Sequence, residues 1–91
     1  MTIPEDAIPK LPHGVRLKED KVRSRWVLLA PERVLEPDDI AVEIIKRCDG
    51  SRTLGAVIDD LAKTFEADRA TIATDVKNIL AFLSERRMID L

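Results

Sequence analysis

The chain has 91 residues, 45% of them apolar and 35% charged, which suits one small domain with a modest core under a charged surface. Fifteen Lys and Arg stand against seventeen Asp and Glu, and the net charge of −2 excludes a uniformly basic nucleic-acid coat. One Cys and one His exclude an intrachain disulfide framework, a multi-thiolate metal site and most zinc and haem ligand sets.

Charge is unevenly spread along the chain. Residues 10–33 hold Lys10, Arg16, Lys18, Lys21, Arg23, Arg25 and Arg33 against Glu19, Asp20 and Glu32, a net of +4. Residues 34–91 carry eight bases and twelve acids, a net of −4. No stretch approaches the roughly 18 uninterrupted apolar residues of a membrane span. The first residues carry Glu5 and Asp6 where a signal peptide needs positive charge. The expectation is a cytoplasmic domain with no membrane partner.

Residues 1–12 contain Pro4, Pro9 and Pro12, which remove backbone donors and disfavour helix at the preceding residues. They show no apolar period and are expected to be a flexible tail or linker, with the folded domain spanning 13–91. Val15 and Leu17 alternate with Arg16 and Lys18, the two-residue period of a half-buried strand. Glu19-Asp20-Lys21 reads as a turn, and a second strand runs from Val22 into the apolar Trp26–Leu29 segment. Pro31 interrupts, and Arg33-Val34-Leu35 is a short third strand beside a proline, the pattern of a sheet edge.

Beyond Glu36 the period becomes helical. Pro37, Asp38 and Asp39 suit a helix start, with Ile40, Ile44 and Cys48 on one face and Gly50 as the stop. Thr53 is the expected cap of a second helix burying Leu54, Val57, Ile58, Leu61 and Phe65. Asp68 caps a third helix over about 69–86. On that helix Ile72, Val76, Ile79 and Leu83 form a stripe, with Phe82 on one margin and Ala73 and Leu80 on the other. The apolar arc then spans roughly 180°, wider than the roughly 100° that one core contact needs. Either the sheet and the other helices cover both margins, or a partner covers one of them. The fold class is α+β and winged-helix-like, a three-stranded antiparallel sheet followed by a three-helix bundle.

No catalytic, metal or cofactor site is expected. His13 adjoins the tail, where a base would be poorly held, and Cys48 falls on an apolar helix side. Asp38-Asp39 and Asp59-Asp60 are adjacent pairs, so their side chains diverge by about 100° on a helix. The glycines are isolated at Gly14, Gly50 and Gly55 and form no phosphate loop.

Two binding modes remain. A winged-helix DNA-binding regulator would read the groove with the third helix, but there Arg69, Lys77, Arg86 and Arg87 are interleaved with Asp68, Asp75 and Glu85. Nucleic acid is therefore not the expected partner. The other mode is strand addition, in which an extended peptide completes the vacant edge at Glu32, Arg33, Val34 and Leu35. Basic strand residues would steer an acidic peptide towards it. An edge blunted by Pro31 and the charges around it explains the same residues.

Arg25-Trp26-Val27-Leu28-Leu29-Ala30-Pro31-Glu32-Arg33-Val34, Ile44 through Cys48-Asp49-Gly50-Ser51-Arg52-Thr53, and Ile58-Asp59-Asp60-Leu61 resemble the PqqD family. These are peptide chaperones of pyrroloquinoline quinone (PQQ) biosynthesis, and the resemblance covers about residues 13–91. It implies a non-catalytic domain that binds the ribosomal precursor peptide PqqA. It also implies presentation of that peptide to PqqE, a radical S-adenosylmethionine enzyme that joins a Glu and a Tyr of the peptide. Some family members are fused to the enzyme PqqC. The family's groove lies between the third strand and the third helix. With Arg33, Val34 and Leu35 pairing to the peptide backbone, helical geometry then assigns Ala73, Val76, Lys77 and Leu80 to the groove wall.

Overall fold

The computed structural model describes residues 3–91. Three strands come first, β1 (Arg16–Asp20), β2 (Arg25–Ala30) and β3 (Arg33–Leu35), and three helices follow, α1 (Asp39–Lys46), α2 (Leu54–Thr64) and α3 (Arg69–Glu85). The sheet is antiparallel in the order β1-β2-β3, the expected α+β arrangement. Leu17 lies opposite Leu28, and Leu28 opposite Leu35, so these three share the inner face and pack on the helices. Lys18 opposite Val27, and Leu29 opposite Val34, share the outer face.

The first turn falls later than the polar run at residues 19–21 suggests. Glu19 and Asp20 remain in β1, paired with Trp26 and Arg25. The Asp20 carboxylate accepts the Arg23 N–H at 3.3 Å and helps to close the turn, where Ser24 takes φ +52°.

Each helix begins at a side-chain acceptor. Asp38, Thr53 and Asp68 accept the backbone N–H of Ala41, Ala56 and Thr71 at 2.8, 3.2 and 3.2 Å, satisfying donors that a helix start leaves unpaired. The α2 face is fully used: Leu54, Val57, Ile58 and Leu61 are at most 1% exposed, and they meet Val76, Leu80 and Leu83 of α3. Phe65, expected on that face, is 43% exposed because α2 has already ended at Thr64. Ile40 is likewise exposed, while Val42 takes a place in the core. The first helix stops at Lys46, short of Gly50. With φ +79°, Gly50 instead serves a chain crossing: its N–H donates to the Pro9 carbonyl, and Lys10 lies where a Cβ would point.

That crossing corrects the expectation of a flexible tail before residue 13. Ile3 is 1% exposed in the core, Pro9 is buried, and Ala7 and Leu11 pack beside them. The carbonyls of Glu5 and Ala7 accept the N–H groups of Gly55 and Leu54 at 2.9 and 2.7 Å. Lys10 and Asp90 exchange two backbone bonds of 2.9 and 2.8 Å. Prolines forbid helix here but not an extended strap, and the open start of α2 supplies donors for its carbonyls. Met1 and Thr2, also assigned to the tail, lie outside the described residues.

Two outcomes follow from this packing. Ile3→Ala should cost about 2–4 kcal/mol, read as a lower urea midpoint; an unchanged midpoint would return the segment to a tail. The second concerns Arg47, which ties α1 to α2 by donating to Asp60 at 2.6 Å and Glu43 at 3.0 Å. Hydrogen bonding to Arg47 holds both carboxyls below their ordinary values of 3.8 and 4.5. Stabilisation from lowered carboxyls is complete above the ordinary range and lost as pH falls through the lowered values. Thermal midpoints should therefore fall below about pH 4, and Arg47→Met should flatten that acid limb.

Candidate functional site

The short third strand is pinned at both ends. Pro31 and Glu32 form a two-residue turn closing on the Ala30–Arg33 pair, with Glu32 at φ +66°, the left-handed third position that follows proline in a tight turn. Three residues beyond Leu35, Asp38 already caps α1. Because the turn closes on Ala30 and Arg33, these form the hydrogen-bonded pair, and Val34 opposite Leu29 falls in the alternate pair. The N–H and C=O of Val34 therefore point away from β2. On that side β3 has no strand neighbour among the described residues.

Beside this edge lies a groove of about 410 Å³. Leu35 and Pro37 form one wall, Asn78, Ile79 and Phe82 of α3 the other, and Leu28, Ile45 and Leu83 the floor. The lining is mostly apolar, and Phe82 is 45% exposed. The Arg86 guanidinium sits 3.5 Å from the Phe82 ring centroid, a cation–π contact that holds the ring at the groove's margin. Arg25 reaches across the sheet to the carboxylate of Glu36 and also faces Asp20 at 3.5 Å. This fixes the exit from β3.

The strand residues singled out from sequence come together here. Glu32 is exposed in the turn, Arg33 and Val34 are exposed on the edge strand, and Leu35 lines the groove. The helix residues do not join them. Val76 and Leu80 are buried in the core at 1% and 0% exposure, and Ala73 packs against the same core. Lys77 faces the N-terminal strap, 3.9 Å from Glu5. Those four occupy the side of α3 turned towards α2 and the strap; the sheet meets the opposite margin, at Ile79 and Phe82. The wide arc in the sequence contained both margins, and Phe82 marked the one now facing the strand.

The chemistry-bearing side chains are otherwise engaged. Burial pushes the Cys48 thiol up to about 12, and its S–H donates to the Ile44 carbonyl at 3.2 Å. Asp59 accepts from Arg69 at 2.6 Å, while Asp60 faces Arg47 and Arg52. Arg69 also binds Glu5 at 2.6 Å, so two of the α3 bases that a DNA reader would need are spent within the molecule. Among the described residues, no group of three His, Cys, Asp or Glu is placed to hold a metal ion, and no helix is long and apolar enough to cross a membrane.

The sequence and fold have clear relatives. The family model for coenzyme PQQ synthesis protein D (PqqD) matches residues 25–89. A PqqA binding protein of Rhodopseudomonas palustris (strain BisB5) is 52% identical over 86 residues, 94% of this chain and 84% of the relative. Its counterpart in Xanthomonas campestris pv. campestris (strain B100) is 46% identical over 90 residues, 99% of this chain and 98% of the relative. Among solved structures, the solution NMR structure of the PqqD truncation of Methylobacterium extorquens PqqCD superposes with a TM-score of 0.84 at 40% identity, covering 99% of this chain and 96% of that one. That protein is a functional, stand-alone recognition element for ribosomally synthesized and post-translationally modified peptides. The crystal structure of PqqD from Xanthomonas campestris gives a TM-score of 0.63 at 46% identity, over 99% of this chain and 100% of that one. Matching strands, matching helices and near full-length identity have one reading: the chain belongs to the PqqD family.

Proposed function

We propose that this protein is a non-catalytic, cytoplasmic peptide chaperone that binds the precursor peptide PqqA by strand addition to β3. It presents the bound peptide to the radical S-adenosylmethionine enzyme PqqE in PQQ biosynthesis, with PqqC as a neighbour or fusion partner. The observation that carries the reading is the outward-facing backbone of Val34 beside an open apolar groove. The relatives that bind PqqA support the peptide's identity, and the PqqCD origin of one solved relative supports the link to PqqC.

Arg33 and Leu35 spend their N–H groups on β2, while Val34 offers one donor and one acceptor to a guest strand. In a guest strand alternate side chains turn inward, where Leu35, Ile79 and Phe82 would receive an aliphatic or aromatic residue. Backbone bonds supply register and the groove supplies selectivity. The inward side chains of the guest replace water on Phe82, which the free protein leaves partly wet.

Val34→Pro removes the outward donor without removing a bond to β2, so PqqA affinity should fall about tenfold while the thermal midpoint moves by only a few degrees. Phe82→Ala should also weaken PqqA by about tenfold, at little cost to the fold because the ring is 45% exposed. Calorimetric titration measures both. Full affinity in a folded Val34→Pro protein would remove strand addition at this edge.

A further inference from the structure

The outer face of the sheet carries a second, differently built surface. Val34 of β3, 64% exposed, and the half-buried Leu29 of β2 form a small aliphatic patch beside Val27, which is itself only 8% exposed. With Lys18, Lys21 and Arg25, and with Glu19 and Asp20 at one end, they enclose a shallow depression of about 520 Å³, in which Asp20 faces Arg25. Arg16 shares this face, since it lies opposite Leu29. No helix covers these residues.

Fewer of the cations here are paired than in the helical layer, where Lys63 and Arg87 alone lack an ion pair among the described residues. In the helical layer Lys46, Arg47, Arg52, Arg69 and Lys77 all face carboxylates. In the sheet, Arg16, Lys18, Lys21, Arg23 and Arg33 make no ion pair among the described residues. Arg16, Lys18 and Lys21 are thus unpaired cations around the aliphatic centre, whereas Arg25 is held by Asp20 and Glu36, and Arg33, opposite Ala30, belongs to the inner face. Unneutralised charge around an apolar patch favours an oppositely charged protein surface, which can cover the patch and meet the cations at the rim. Nucleic acid fits less well, because a phosphate backbone offers nothing apolar to cover Val34 and Leu29.

We propose that this outer sheet face docks a protein partner whose surface places carboxylates around an apolar residue, and that the partner is the enzyme receiving the peptide. The second clause rests on the function proposed above. A peptide added to β3 continues the pleat, so every second guest side chain emerges beside Val34 on this same face. A partner seated there touches the carrier and its cargo at once. The groove then selects the peptide through its inward side chains, and the outer face delivers the outward ones.

The test uses PqqE as the probe, titrated with the wild-type protein, the Arg16→Glu/Lys18→Glu variant and Phe82→Ala, each with and without PqqA. Both substituted cations are exposed on β1, and circular dichroism with thermal melts verifies their folding. Without peptide, the charge variant should bind PqqE at least about tenfold more weakly than wild type at low salt, a gap that narrows as salt rises. Phe82→Ala should bind PqqA about tenfold more weakly yet keep PqqE affinity in the absence of peptide. In parallel, PqqE should perturb the amide resonances of residues 16–18 and 27–29 in the labelled wild-type protein. Equal PqqE affinity of wild type and charge variant overturns the proposal, as do perturbations confined to α2. Displacement of PqqE by duplex DNA, or self-association that the charge variant abolishes, overturns it too. If the wild type fails to bind PqqA, the peptide reading falls, while the PqqE titration still decides the docking face.

Discussion

The arrangement depends on how little freedom β3 has. A two-residue turn delivers the chain at Arg33, and the α1 cap takes it up at Asp38. Three residues of strand are enough to pair with β2 and too few to curl back over their own edge. The proline that starts the turn and the left-handed Glu32 that finishes it fix which backbone groups of β3 face inward and which face out. An edge left open in this way is usually a liability in a β-sheet. Here its brevity, the flanking Arg33 and the α3 wall confine it to a slot with one apolar side.

That wall shows why α3 is the least amphipathic of the helices to the eye. Val76, Leu80 and Leu83 serve the core, while Ile79 and Phe82 serve the groove. One helix holds the domain together with one face and offers a binding surface with the next. Charge is divided in a similar way. Most cations of the helical layer face carboxylates, while Arg16, Lys18 and Lys21 of the first hairpin are unpaired among the described residues, so the exterior is polarised although the net charge is only −2.

Local signals were legible in the sequence, and long-range ones were not. Thr53 and Asp68 announce their helices because a cap acts within three residues. Pro31 announces an edge because the missing donor is a property of that residue alone. The side of α3 that faces the strand was not legible: periodicity gives the width of an apolar arc, whereas the direction from which a sheet approaches is set by how all the elements pack. The strap formed by residues 3–12 was invisible for a related reason. An extended segment with three prolines has no period to read, and its burial is decided by acceptors that Glu5 and Ala7 offer to a helix far along the chain.

The bridge between Lys10 and Asp90 joins residues near the two ends of the chain. Nearly the whole polypeptide lies inside the loop it closes, so this contact carries a large closure entropy and gains little until everything between has folded. The hairpins and helices, whose partners are near in sequence, assemble first, and the strap docks onto a nearly finished body. In reverse, the strap is the element whose amides open to exchange before the rest, uncovering the start of α2 while the sheet stays intact.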